Sequence, residues 1–112
     1  MPRKAKRRQL TDEGLQLVAQ RFKVLSEPVR LKLLTALEGG EQNVGQLVAL
    51  TGQSQANVSK HLATLAAAGM IGRRREGLNA YFFISDPQIL ELCDLMCHRL
   101  EKEFAAKKSP FR

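Results

Sequence analysis

Tryptophan is absent from this 112-residue chain, and one tyrosine with five phenylalanines brings aromatics to only 5%. The interior must therefore be assembled from leucine, valine, isoleucine and alanine. Cysteine is almost as scarce. Cys93 and Cys97 are too few for a disulfide framework and point to a reducing compartment. No apolar run approaches the roughly 18 residues that span a bilayer, and no apolar segment follows the basic N-terminus as a secretory signal requires. The expected location is the cytoplasm, with no membrane partner. Repeats, low-complexity tracts and interdomain linkers are missing too. The two histidines, His61 and His98, fall on separate predicted elements with no acidic partner to complete a catalytic set, so an enzyme is not expected.

What is present begins with a 44% hydrophobic content, enough for one aliphatic core in a chain too short for two domains. The formal net charge is +7, but Arg3, Lys4, Lys6, Arg7 and Arg8 supply five of those cations, leaving the rest near +2. Residues 1–9 read as a basic flexible arm, 10–107 as a single folded domain, and 108–112 as a tail. An arm of this kind either tracks phosphates or solvates the chain, so the informative cations are the others.

Leu15, Val18, Phe22 and Leu25 recur at helical spacing and predict a first helix. Ser26-Glu27-Pro28 signals a new start, with Ser26 as the expected cap, Val29, Leu33, Leu34 and Leu37 inward, and Gly39-Gly40 as the stop. Asn43 caps a short third helix with Val44, Leu47 and Val48 inward, closed by Gly52. Gln53-Ser54 opens a fourth. At about 100° per residue, Val58, Leu62, Leu65 and Gly69 share one stripe, and Ala56, Asn57, Lys60, Ala63, Thr64 and Ala67 share the other face. Small side chains permit close approach, and the polar ones reach base edges in a major groove. The plain alternative is an alanine-rich solvated helix.

After Gly69 the period becomes two. Met70–Glu76 and Ala80–Ser85, joined through Gly77-Leu78-Asn79, predict a two-stranded hairpin bearing Arg73, Arg74 and Arg75. Three arginines there make either a cationic finger or a solvated strand. Asp86-Pro87 opens a last helix to about Lys107. Its apolar stripe of Ile89, Leu92, Cys93, Met96, Leu100 and Phe104, with Cys97 at the edge, exceeds what the core needs and suits a second subunit.

Two short helices around a glycine turn, then a hairpin, compose a winged helix-turn-helix: mainly α, about five helices plus a two-stranded wing, acting as a homodimer. The expected partner is double-stranded operator DNA. The fourth helix offers Ser54, Gln55, Asn57, Ser59, Lys60, His61 and Thr64, and the wing offers Arg73, Arg74, Arg75, Asn79 and Tyr81.

The run from Phe22 to Leu34 resembles a signature of the ArsR/SmtB repressors. Ser54–Leu65, followed by Ala68-Gly69-Met70-Ile71, is similar to their recognition helix and its exit, and the arginine-rich hairpin with Gly77 and Tyr81 is similar to their wing. The likeness covers roughly 12–104. It implies a dimeric repressor whose operator affinity falls when an inducer binds or a thiol is oxidised. It also implies that His61 contacts DNA, although on the helix projection this residue flanks the buried stripe, where a packing role fits equally.

The same resemblance frames the inducer. The cysteine site of arsenic- and cadmium-sensing relatives is missing from Val44–Leu50. Of a zinc site shared between subunits, Asp86, His98 and Glu101 remain, but Gln88 stands where a histidine would be useful. Cys93 and Cys97, at i and i+4, share one face. No cofactor is required, and an inducer ion such as trivalent arsenic or another thiophilic metal suits these thiols, as does oxidation. The alternatives are purely structural cysteines with no metal response, a zinc-responsive repressor, and, in a different class, an architectural DNA-binding protein.

Overall fold

The computed structural model of the chain describes residues 10–105. The basic arm and the 108–112 tail lie outside that range. The elements run α1 Asp12–Leu25, α2 Pro28–Glu38, β1 Gln42–Asn43, α3 Val44–Thr51, α4 Gln55–Ala67, β2 Ile71–Glu76, β3 Asn79–Ile84 and α5 Pro87–Glu103.

Local side-chain chemistry sets most boundaries. Thr11 caps α1, its Oγ1 accepting from the Gly14 N–H at 2.9 Å. Ser26 does not cap α2. Its hydroxyl and its N–H both donate to the Lys23 carbonyl, closing α1, and Glu27 takes the capping role by accepting from the Val29 and Arg30 N–H groups at 2.7 and 3.3 Å. Pro28 then stands at the first helical position, where no N–H is needed. Asn43 and Gln46 form a reciprocal capping box at α3, each bond 2.8 Å. Gly52 ends α3 at φ +73°, the left-handed cap that makes the tight turn into α4.

The core is aliphatic, as the lack of tryptophan demands: Leu33, Leu34 and Leu37 of α2, Leu47 of α3, Val58, Leu62 and Leu65 of α4, and Met70, Ile71 and Phe82 around the sheet. The wing is larger than a hairpin. β1 adds to the far edge of β3, pairing Gln42 with Phe82 and Asn43 with Tyr81, so the sheet has three antiparallel strands in the order β1-β3-β2. A strand of two residues has no period to read, which is why the sequence predicts the hairpin alone.

α1 and α5 contain no buried residue. Val24, Leu25, Ile89 and Leu90 pack against the core, while Leu15, Leu17, Val18 and Phe22 on α1 and Leu92, Leu95 and Met96 on α5 stay exposed. Between α2 and α5 lies an apolar groove of about 400 Å³, lined among others by Phe22, Leu31, Leu34, Met96 and Leu100. Among the described residues no helix is long and apolar enough to cross a membrane.

Candidate nucleic-acid interface

α4 presents its polar groups in two tiers. Gln55, Ala56, Ser59, Lys60, Ala63 and Ala67 are exposed, so the outward face is small and polar with one cation. Asn57 and Thr64 are half-buried at its flank rather than at its centre. The Asn57 amide donates to Gln53 Oε1 at 2.8 Å, and the Thr64 hydroxyl donates to the Lys60 carbonyl at 3.3 Å. Ser54 is the cap, accepting from the Asn57 N–H at 3.1 Å, which leaves it exposed at the helix start. A helix N-terminus with free N–H groups and a hydroxyl is a natural partner for a phosphate.

His61 departs from its expected place among DNA contacts. It is 6% exposed, and its Nδ1 lies 3.1 Å from Arg30 Nη1 while its Nε2 lies 3.9 Å from Glu27 Oε1. An acidic neighbour therefore does exist, contrary to the expectation of none. It comes from a segment 34 positions away in sequence, beyond the reach of local spacing.

The wing leaves α4 through Gly69 at φ +77°, and Ser85 closes its base with bonds from its N–H to the Met70 carbonyl and from its hydroxyl to the Gly69 carbonyl. Arg73, Arg74 and Arg75 are all exposed, and Arg74 alone of the three has side-chain hydrogen-bond partners among the described residues. Its Nη2 donates to Glu41 Oε1 at 2.7 Å, its Nη1 to Glu76 Oε1 at 3.2 Å, and its guanidinium stacks on Tyr81. These bonds raise the Arg74 pKa further and lower that of Glu41, so the pair stays ionised. Tyr81 is half-buried beneath that stack, and Asn79 is exposed opposite Glu76 at the turn. Leu78, placed in the turn by the sequence, is 98% exposed at the very tip, an exposure that spacing does not foretell. A leucine inside a predicted turn carries no signal of its own.

Cys93 and Cys97 are free, half-buried thiols that both line the apolar groove beside α2. Burial, followed by the nearby Cys97 and Asp94, pushes the Cys93 thiol above its usual range. Asp86 is spent as the cap of α5, accepting from the Gln88 N–H at 3.2 Å, and His98 and Glu101 are exposed further along the helix. At 1.5 Å per residue, Asp86 and His98 stand about 18 Å apart along the axis, and among the described residues no three metal-binding side chains gather. One chain does not offer these three groups to one ion.

Residues 27–72, from the cap of α2 to the start of the wing, match the family described as "Bacterial regulatory protein, arsR family". The chain is 36% identical over 74 residues to a probable mercury resistance operon repressor of Streptomyces lividans, a match covering 66% of this chain and 59% of that protein. It is 35% identical over 78 residues to an HTH-type transcriptional regulator of Mycobacterium tuberculosis, Rv0081, covering 69% and 68%. The crystal structure of Rv0081 superposes with a TM-score of 0.78 at 29% identity, covering 86% of this chain and 97% of that one. The antimony-specific transcriptional repressor AntR does so with a TM-score of 0.75 at 33% identity, covering 87% and 88%. A homodimeric winged helix-turn-helix domain of Mycobacterium bovis aligns at 0.72 with 29% identity, covering 80% and 83%. Helix order, wing and relatives agree, and the chain belongs to the ArsR family of winged helix-turn-helix, DNA-binding transcriptional regulators.

Proposed function

We propose that this chain is a homodimeric repressor that reads a two-fold operator with α4 and the wing, and releases it when a soft, thiophilic ion engages Cys93 and Cys97. The observation that carries the reading is the groove. Both thiols open into the same apolar hollow on α5, a helix with no fully buried residue in the single chain. An ion taken up there changes packing where two subunits would meet, and so changes the distance between their reading helices without touching DNA.

Two thiols on one helix face suit an ion that takes both at once, displacing their protons as it binds. Peroxide instead attacks through a free thiolate, which burial of Cys93 makes scarce at that thiol. Relatives named for mercury resistance and for antimony are consistent with such a ligand class.

DNA contacts divide by role. Gln55, Ser59 and Lys60 face bases, with Asn57 and Thr64 at the margin, while Ser54, Arg73, Arg75 and Asn79 hold phosphates. The test is a duplex selected by the protein from a random library, then titrated by fluorescence anisotropy with arsenite, antimonite, mercuric ion, cadmium, zinc and peroxide. Release by thiophilic ions, lost in the Cys93→Ser, Cys97→Ser double variant, is the expected result. Equal release from wild type and double variant sinks the thiol reading, and equal affinity for selected and random duplexes sinks the operator reading.

A further inference from the structure

One guanidinium ties three helices together. Arg30, in the first turn of α2, donates from Nε to the Val24 carbonyl at 2.6 Å and from Nη2 to the Lys23 carbonyl at 3.4 Å. Both acceptors belong to the last turn of α1, where the helix dipole favours a cation; the Lys23 carbonyl also accepts from Ser26. Its Nη1 meets His61 Nδ1 of α4 at 3.1 Å. Arginine has only donors, so Nδ1 accepts and the ring proton resides on Nε2, the side facing Glu27. Glu27 is itself held by the two N–H groups it caps, one of them that of Arg30.

This arrangement is buried at the His61 end, and it leaves no buried side-chain polar atom unpaired among the described residues. Among those residues, no other side-chain hydrogen bond or ion pair connects α1 or α2 with α4. The remaining contacts of α4 with α2 are leucine and valine packing, which attracts without direction. A rigid fork is directional. Packing of Val58, Leu62 and Leu65 gives α4 its overall seat, and the fork adds to it a directional restraint on tilt and rotation.

We propose that Arg30, acting through His61, is a positioning residue for DNA reading: it hangs α4 on the end of α1, so that the helix at the subunit interface dictates where the reading helix points. The inference rests on the operator reading of α4 and the wing. Arg30 needs no contact with DNA. Its effect is on the match between two half-sites, where a shift in α4 costs base contacts while leaving phosphate contacts intact.

The experiment uses the full chain and the duplex that wild type selects from a random library, together with versions whose half-site spacing is one base pair longer or shorter. Arg30→Lys and His61→Leu should lose about tenfold or more on the selected duplex, the size of one base contact. They should also discriminate less between spacings and keep wild-type affinity and salt slope on random DNA. His61→Asn, which returns an acceptor near the position of Nδ1, should recover most of the loss, and His61→Gln should not. Variants with a lower melting temperature but unchanged spacing preference would show a purely structural role and overturn the proposal. Should those variants not fold, the ¹⁵N spectrum of wild-type His61 decides. A bare, accepting Nδ1 is expected, and a protonated Nδ1 overturns the proposal. A wild type that selects no sequence overturns the operator reading beneath it, whereas selection with indifferent variants overturns the positioning role alone.

Discussion

Arg74 lies over the ring of Tyr81, 5.0 Å from its centroid, and the two are direct cross-strand partners in the wing. Together with its bonds to Glu41 and Glu76, this stacking makes Arg74 part of the architecture of the wing. The three consecutive arginines are thus not equivalent. Arg73→Ala and Arg75→Ala should each weaken binding to any duplex and lower the salt slope by about one unit. Arg74→Ala should change the slope less, and Glu41→Gln should steepen it by releasing a cation. Plots of log K against log salt for the four variants decide the matter. A slope loss in Arg74→Ala equal to that in Arg73→Ala, with no change in Glu41→Gln, contradicts the assignment.

Met96 is 62% exposed in the single chain, although it lines the groove beside Cys93. Met96→Glu should leave the chain's own core intact, because that side chain supports little of it, yet should prevent subunit pairing by burying an unpaired charge. Sedimentation velocity should report folded monomers with poor affinity for the selected duplex. A dimer of wild-type tightness would move the interface elsewhere.

Cys93 gives a pH prediction. Its thiol is raised mainly by burial, so at neutral pH it is protonated, and the thiolate fraction grows only as pH climbs past the ordinary thiol range. In a Cys97→Ser variant, alkylation by iodoacetamide should therefore be slower than for a model thiol at neutral pH and accelerate toward alkaline pH. The linkage has the same sign. The folded state keeps a proton that the unfolded chain releases first, so stability falls as pH rises through that window. Fast alkylation near neutrality would mean that the groove does not shield the thiol.

Gly52 adopts φ +73° with open space where a Cβ would be. Gly52→Ala should destabilise the helix-turn-helix by about 1 kcal/mol from backbone strain alone, and Gly52→Asn by less, since asparagine tolerates the left-handed region. Thermal or urea denaturation measures both. An alanine variant as stable as wild type would show that the turn relaxes.

Much of the fold is legible in the sequence, because its signals are local. The Val58, Leu62 and Leu65 stripe, the Asn43 cap and the Gly77 turn each lie within a few residues of what they organise. The cap of α2 illustrates the limit. Ser26 and Glu27 both carry acceptor oxygens beside Pro28, and spacing does not choose between adjacent candidates. The relations that shape the reading surface are long-range. His61 meets a cation 31 positions away, and Arg74 meets Glu41 33 positions away. These pairings draw one expected DNA contact inside and tie another to the wing. The exposure of Leu78 and the pairing of β1 leave no trace, the leucine being a lone apolar residue in a turn and the strand too short to show alternation.

The absence of any buried residue in α1 and α5 has a consequence for abundance. If a second copy covers these helices, stability includes a term in the protein's own concentration, and the melting temperature should climb on concentrating the sample. Newly made chains at low copy number would be the least stable and the most open to proteolysis. On the proposed repressor reading, operator occupancy would then set in above a threshold of synthesis.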